Sequence, residues 1–99
     1  MEYFLYKLIP PRQTFPQDMT EVEEKIMQEH IKYWKELVDR RIAIVFGSVA
    51  DPKGVYGIAI VETEDEIAAN NLGSSDPLVD PSVGFRFEIY QMPEPILRK

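Results

Sequence analysis

Apolar and polar positions alternate with two different periods along the chain, and the change of period marks the first two elements. The segment from Tyr3 to Ile9 is aromatic and apolar at most positions, which predicts a strand. From DMTEVEEKI onward, apolar residues recur every three or four positions, which is the spacing of an amphipathic helix. Asp18 or Thr20 can cap this helix, and its pattern ends near Asp39 or Arg40. The proline-rich PPRQTFPQD between the two is predicted as a loop.

The remaining elements are shorter and are separated by turn residues. IAIVFGSV and VYGIAIVE are dense in β-branched residues, and the Asp-Pro-Lys-Gly turn between them predicts an antiparallel hairpin. TEDEIAANNLG fits a short helix that is capped by Thr63, with Glu66 three residues later, and stopped by Gly73. GFRFEIYQM alternates as a last strand. This order predicts one α+β domain over residues 1–99 with the ferredoxin-like, split β-α-β (βαββαβ) topology.

The strands of the predicted hairpin are apolar on both faces. The second strand is expected to place Ile42, Ile44 and Phe46 on one side, against Ala43 and Val45. The third is expected to place Tyr56, Ile58 and Ile60 on one side, against Ala59 and Val61. Both helices of such a fold cover the same sheet face, so the other face needs a different cover. We expect a homodimer that packs sheet to sheet.

Composition excludes several classes of function. The 99 residues carry a net charge of −6, and no segment is basic enough to follow a nucleic acid backbone. No apolar run approaches the roughly 20 residues of a membrane span, and the N-terminus lacks the pattern of a secretory signal. The absence of cysteine excludes disulfides and thiolate metal sites and suits a cytoplasmic protein. With one histidine and no glycine-rich nucleotide loop, neither a metal nor a cofactor is expected.

The single histidine, His30, lies on the apolar face of the predicted long helix. At about 100° per residue, it falls near the middle of an arc of core-facing side chains. The arc contains Met19, Ile26, Met27, Tyr33, Trp34 and Leu37. Glu23 is the other ionisable group on this arc before Arg41. His30 is therefore either a neutral buried imidazole bonded to a backbone carbonyl or a functional group held by a partner from outside the helix.

The acidic loop GSSDPLVDP is the place to look for that partner. Asp76 and Asp80 each precede a proline, which favours an extended residue before it. The loop leads into the last strand, which neighbours the first strand in a split β-α-β fold. Asp76 is therefore expected near the sheet edge that faces the long helix. The alternative for both residues is ordinary turn chemistry.

Taken together, these residues resemble the YciI-like (YCII-related) family over nearly the whole chain. The matching features are the PPRQTF loop with Arg12, the helix pattern Glu23, Met27, His30 and Tyr33, the hairpin FGSVADPKGVYG, and the SDP that contains Asp76. The resemblance implies a ferredoxin-like subunit that dimerises through its sheet into an α/β barrel. It also implies that the family's active-site histidine and aspartate correspond to His30 and Asp76. One member of the family is a dehydrochlorinase of chlorinated hydroxyhydroquinones.

The chain departs from the family pattern at two places. Arg41 stands where many relatives have a glycine, so the helix has to close without the conformational freedom of glycine. Gly47-Ser48 stands where relatives often have Gly-Pro, which adds a hydroxyl that can face the site.

These features lead to one principal functional hypothesis and two alternatives. His30 is the candidate general base or acid and Asp76 the group that orients its ring, on a small aromatic or anionic molecule. Candidate substrate contacts are Arg12, Ser48, Glu23, Tyr33 and Trp34. The reaction is expected to be a cofactor-free elimination or isomerisation. The alternatives are a non-catalytic binding or regulatory module with the same pocket and, from the fold alone, a cofactor-independent monooxygenase-like barrel.

Overall fold

The computed structural model describes residues 1–98 and contains the six predicted elements in the predicted order. They are β1 (Glu2–Ile9), α1 (Glu21–Asp39), β2 (Ala43–Val49), β3 (Tyr56–Thr63), α2 (Glu66–Ser74) and β4 (Arg86–Met92). The strands form one antiparallel sheet in the order β2-β3-β1-β4. The α+β class and the ferredoxin-like arrangement are thereby confirmed.

Local capping chemistry explains where α1 begins and ends. The Thr20 hydroxyl accepts a hydrogen bond from the Glu23 backbone N–H, and the Glu23 carboxylate accepts one from the Thr20 N–H. This reciprocal pair is a capping box, which satisfies two of the free N–H groups at a helix start. After the C-cap at Arg40, the chain turns through Arg41, whose φ is +63°. Arg41 thus adopts the left-handed conformation that glycine takes more readily.

The sequence placed both ends of α2 wrongly. Thr63 is the last residue of β3 and pairs with Glu2, and the N-cap is Asp65, whose carboxylate accepts from the Ala68 N–H. Because Thr63 pairs within the sheet, it does not cap the helix. Gly73 lies inside α2, which continues to Ser74. A Cβ at Gly73 would collide with the ring of Phe87, so this glycine is required by packing and does not end the helix.

The predicted alternation along β2 is also wrong, because a register shift lies between Ala43 and Val45. Ala43 pairs with the buried Val61 and Phe46 with the buried Ala59, so both side chains lie on the helix-covered face. The residues between them, Ile44 and Val45, are each 44% exposed. A bulge adds one residue to a strand and so reverses the face of every later side chain.

Both helices pack on one face of the sheet, where the core lies. The buried apolar residues of that face include Phe4, Tyr6 and Leu8 from β1, with Trp34 and Leu37 from α1. The opposite face has no cover among residues 1–98 and carries partly exposed apolar side chains. These include Leu5, Ile58, Ile60 and Tyr90. Within the described residues, neither helix combines the length and the apolar character that a membrane span requires.

Candidate functional site

His30 and Asp76 are in direct contact inside the domain. His30 is 5% exposed and Asp76 1% exposed. The Nδ1 atom of His30 lies 2.8 Å from Oδ1 and 2.9 Å from Oδ2 of Asp76. The contact expected from the sequence is confirmed, although α1 and the loop after α2 supply the two residues from distant parts of the chain.

Asp76 is held by three further hydrogen bonds. The Tyr6 hydroxyl and the Trp34 indole N–H each donate to Oδ2 at 2.8 Å, and the Leu78 backbone N–H donates to Oδ1 at 3.0 Å. Burial by itself raises the pKa of Asp76, but the bonds and charge from His30, with those from Trp34 and Leu78, outweigh it and lower that pKa overall. Asp76 is therefore a carboxylate at neutral pH. Burial, followed by the nearby charge of Asp76, raises the pKa of Tyr6, which keeps its hydroxyl protonated.

A carboxylate can only accept hydrogen bonds, and this decides the tautomer of His30. Nδ1 carries the proton that it donates to Asp76, so the neutral ring presents the lone pair of Nε2 on its other side. Nε2 forms no hydrogen bond within residues 1–98. Every fully buried side-chain nitrogen in the same residues has a partner, so Nε2 keeps some accessible surface. Because His30 lines a cavity, we infer that Nε2 faces into it.

This cavity has a volume of about 350 Å³ and is almost entirely apolar. The Phe46 ring stands edge-on to the His30 imidazole, with a centroid distance of 5.3 Å. Phe15 and Phe85 form a second edge-to-face pair in its wall at 5.1 Å. His30 is the single ionisable residue in the lining. Apolar and aromatic walls around one basic atom favour an uncharged ligand over a charged one.

Ser48 is the other polar side chain that lines the cavity. It follows Phe46 by two residues on β2, so both project from the same sheet face. Ser48 is an exposed residue, so it lines the part of the cavity that is open to solvent. Ser48 is therefore placed to donate a hydrogen bond to a molecule in the cavity.

Arg12 and Glu23 are brought together with each other and do not line this cavity. Two guanidinium nitrogens of Arg12 donate to the Glu23 carboxylate at 2.7 and 2.6 Å, and its Nε donates to Asp18 at 2.9 Å. The hydrogen bonds from Arg12 are the largest cause that lowers the pKa of Glu23 to about 2. The pair ties the loop before α1 to the first turn of that helix. Both residues were candidates from the sequence, but the sequence pattern did not predict that they contact each other.

Tyr33 and Trp34 also lie outside the cavity lining. The Tyr33 hydroxyl donates to the Leu72 carbonyl at 2.6 Å and so joins α1 to α2. Trp34 is fully buried and stacks on Phe46 with a centroid distance of 5.8 Å. Trp34 thus contributes through its bond to Asp76 and by supporting a cavity wall.

Sequence reasoning missed two kinds of residue at this site. Tyr6 was part of a predicted strand, and its alternation marked it as core, but nothing in that pattern pointed to Asp76. The aromatic lining from Phe15, Phe46 and Phe85 comes from a loop, a strand and a loop. Aromatic residues in a loop between two elements are a weak signal of a cavity wall, since most of them simply complete the core.

The described residues offer little to a metal ion. Residues 1–98 contain no group of three or more histidine, aspartate or glutamate side chains arranged to hold one. Of the carboxylates discussed above, Asp76 already accepts four hydrogen-bonding partners and Glu23 is bound by Arg12.

Comparison with known proteins places the chain at the level of a family. No curated protein matches it. The family model described as the YCII-related domain matches residues 1–93, which include α1, the loop with Asp76 and the whole sheet. The match covers the ferredoxin-like sheet and the buried pair of His30 and Asp76. The chain therefore belongs to the YCII-related family.

Proposed function

We propose that this protein is a small, cofactor-independent enzyme in which His30 moves a proton to or from an uncharged, aromatic-sized molecule in the apolar cavity. One observation carries the proposal. The Nδ1 side of the ring is held by a buried carboxylate, while Nε2 has no protein partner in the described residues and His30 lines a cavity. A ring nitrogen without a protein partner beside a cavity is available to accept a proton or a hydrogen bond from a bound molecule.

The arrangement supports general acid and base chemistry by a simple sequence of steps. Nε2 accepts a proton from a C–H or O–H group of the bound molecule, and the ring becomes an imidazolium. Asp76 stabilises this cation through the Nδ1–H bond, and Tyr6 and Trp34 keep the carboxylate in place. In an elimination, the substrate then loses a leaving group with its bonding electrons. In an isomerisation, Nε2 returns the proton to another atom of the substrate.

The lining favours an aromatic over an anionic molecule. An anion would lose its hydration on entering walls that offer one hydroxyl and one imidazole, without a fixed positive charge to replace the water. Arg12, the cation that we expected to bind an anion, is paired with Glu23 and Asp18. Dehydrochlorination of chlorinated hydroxyhydroquinones, the reaction of one member of the family that the chain resembles, is a reaction of the proposed type.

The test measures proton transfer and binding separately. The assays are chloride release from a chlorinated hydroxyhydroquinone and deuterium uptake from D₂O into small phenols, each with His30→Gln and Asp76→Asn. We expect His30→Gln to lower the rate by about 100-fold or more, the ordinary contribution of a general base. Asp80→Asn makes the same chemical change as Asp76→Asn on an exposed residue outside the site, and should keep the wild-type rate.

A nitrogen NMR spectrum of the ring supplies a readout that a merely structural role would not move. In the wild type we expect the proton on Nδ1, and in Asp76→Asn a mixture of the two tautomers. Full activity of a folded His30→Gln variant on a confirmed substrate would refute the proposal.

A non-catalytic binding module is the second candidate, and the small number of polar groups in the cavity favours it. Ser48 and His30 are sufficient to orient a ligand, whereas many reactions need a further acid. A binder predicts that ligands raise the melting temperature of the wild type and of His30→Gln alike, with no deuterium uptake in either protein.

We further propose that two copies associate through the uncovered face of the sheet. The support is the row of apolar side chains there, including Leu5, Ile58 and Ile60, in a domain too small to have a large core of its own. Ile60→Lys should give a monomer in sedimentation experiments. Val22→Lys, on the exposed side of α1 with 67% exposure, is the control and should not change the mass. A wild type that is already monomeric and equally stable on dilution would contradict this association.

The cytoplasmic location stays a prediction from composition.

A further inference from the structure

A second cavity, which none of the functions above uses, collects a large share of the positive charge of the chain. It has a volume of about 450 Å³, and its lining contains Lys7, Arg12, Lys53 and Arg86. The whole chain has 11 lysines and arginines against 17 aspartates and glutamates. No carboxylate lines this cavity. In an acidic protein, a cavity with four cations and no acid attracts anions.

Four different segments supply the cations, and Arg12 comes from the loop before α1. Arg86 on β4 lies opposite Ile9 of β1, and Lys7 precedes Ile9 by two residues, so Lys7 and Arg86 share the face that the helices leave uncovered. Lys53 comes from the turn between β2 and β3. The Lys7 ammonium lies 4.7 Å from the centre of the Tyr56 ring, which holds it over the cavity wall.

Three of the four charges have no ion-pair partner within the described residues. Arg12 is neutralised by Glu23 and Asp18, but Lys7, Lys53 and Arg86 form no salt bridge within 4.0 Å among residues 1–98. Glu88 is the cross-strand neighbour of Lys7, and its carboxylate accepts a hydrogen bond from Tyr90. Glu88 therefore offsets part of the charge of Lys7, but it is not in the lining, where the cations still repel one another and a bound anion reduces that repulsion.

We propose that this cavity, which we call the basic groove, binds a phosphate group. A phosphate offers several acceptor oxygens to one guanidinium and two ammonium groups, and arginine binds it through two parallel N–H bonds. The groove has room for an organic part beside the phosphate. The bound phosphate group is therefore either free phosphate or part of a phosphate monoester. The groove shares only Pro10 and Val55 with the lining of the His30 cavity, so this inference does not depend on the proposed enzyme. Lys7 and Arg86 lie on the face that we propose for association of two copies, so the test below also follows the oligomeric state.

The test is calorimetric titration of the full chain with inorganic phosphate and, separately, with phenyl phosphate, with sodium chloride used to hold the ionic strength constant. We expect saturable binding of both probes. Arg86→Gln and Lys53→Gln should each weaken it by about tenfold, the effect of losing one charge-assisted contact. Lys32→Gln removes a positive charge from an exposed position on α1 and should leave the affinity unchanged. Tighter binding of phenyl phosphate identifies an ester as the source, and equal binding identifies phosphate itself.

Three results would overturn the proposal. The first is the absence of saturable binding at constant ionic strength. The second is an equal loss of affinity in Lys32→Gln and Arg86→Gln, which would mean that net charge alone attracts the anion. The third is an Arg86→Gln variant that becomes monomeric in sedimentation while its phosphate affinity stays the same. The cations would then pair with a second copy of the chain.

Discussion

Replacing Asp76 by asparagine is the sharpest test of the buried network, because it removes the charge and one acceptor while it keeps the shape. The carboxylate receives hydrogen bonds from the Tyr6 hydroxyl, the His30 Nδ1–H, the Trp34 indole and the Leu78 backbone N–H. Asparagine has one acceptor oxygen and one NH₂ group that can only donate. The number of buried donors therefore exceeds what the variant can accept.

Both orientations of the amide leave a donor without an acceptor. With its nitrogen in the place of Oδ2, the amide faces the Trp34 N–H, which cannot accept a bond. With its nitrogen in the place of Oδ1, the amide faces the Leu78 N–H. An unsatisfied buried donor costs about 1–3 kcal/mol, and the charge-assisted bond to His30 is weakened as well. We therefore expect the free energy of unfolding to fall by about 2–4 kcal/mol, part of the roughly 5–15 kcal/mol of an ordinary domain.

Urea unfolding followed by fluorescence measures this loss directly. Trp34 is the single tryptophan of the chain and donates to Asp76, so its emission reports on the network itself. The slope of the free energy of unfolding against urea concentration should stay the same, because the fold persists. Asp80→Asn, on an exposed aspartate that also precedes a proline, should cost less than about 0.5 kcal/mol, because the asparagine oxygen can still accept both bonds from Ser82. Equal and small losses in the two variants would refute the reasoning.

Three further predictions concern the ends of the helices. Arg12 lowers the pKa of the Glu23 carboxylate from 4.5 to about 2. Glu23→Gln removes this carboxylate, whose contribution to the free energy of unfolding is present above pH 4.5 and is lost as the pH falls through about 2. The wild type should be more stable than the variant by about 1–2 kcal/mol at pH 7, after allowance for the exposure of Arg12, and this difference should disappear as the pH falls through about 2 in urea titrations. Gly73→Ala should lower the melting temperature despite the better helix propensity of alanine, because the new methyl group meets Phe87. Arg41→Gly should raise the free energy of unfolding by about 1 kcal/mol, because glycine adopts the left-handed φ without strain.

Each of these has a neighbouring control. Glu24→Gln is an exposed charge change in the same helical turn and should not show the pH-dependent difference. Asn71→Ala places the same new residue at an exposed position of α2 and should not be destabilising. Arg40→Gly has an ordinary φ of −82° and should destabilise. If a control behaves like its test variant, the local explanation is wrong.

Local pattern was enough to predict the order of elements, the fold class and the direction of His30. Periodicity near 100° per residue placed His30 on the core side of α1, and the structure finds it buried there. Asp18 and Thr20 were the two candidate caps, and the helix begins at Glu21, directly after Thr20. These features depend on residues within one or two turns of each other, so a linear pattern contains them.

Features that depend on a distant neighbour were outside the reach of such patterns. The bulge in β2 reflects its pairing with β3, and Gly73 is a packing contact with β4. The pairing of Arg12 with Glu23, in place of a role in the cavity, likewise required the tertiary structure.

The site itself divides in the same way. The sequence by itself determined that a titratable ring turns inward on α1 and that an Asp-Pro loop is available to meet it. Only the tertiary structure decided that Tyr6, Trp34 and Asp76 meet at that ring and that an uncharged cavity lies beside it. The physical reason is that burial and hydrogen bonding between residues up to 70 positions apart depend on how the helices pack on the sheet, which no local period encodes.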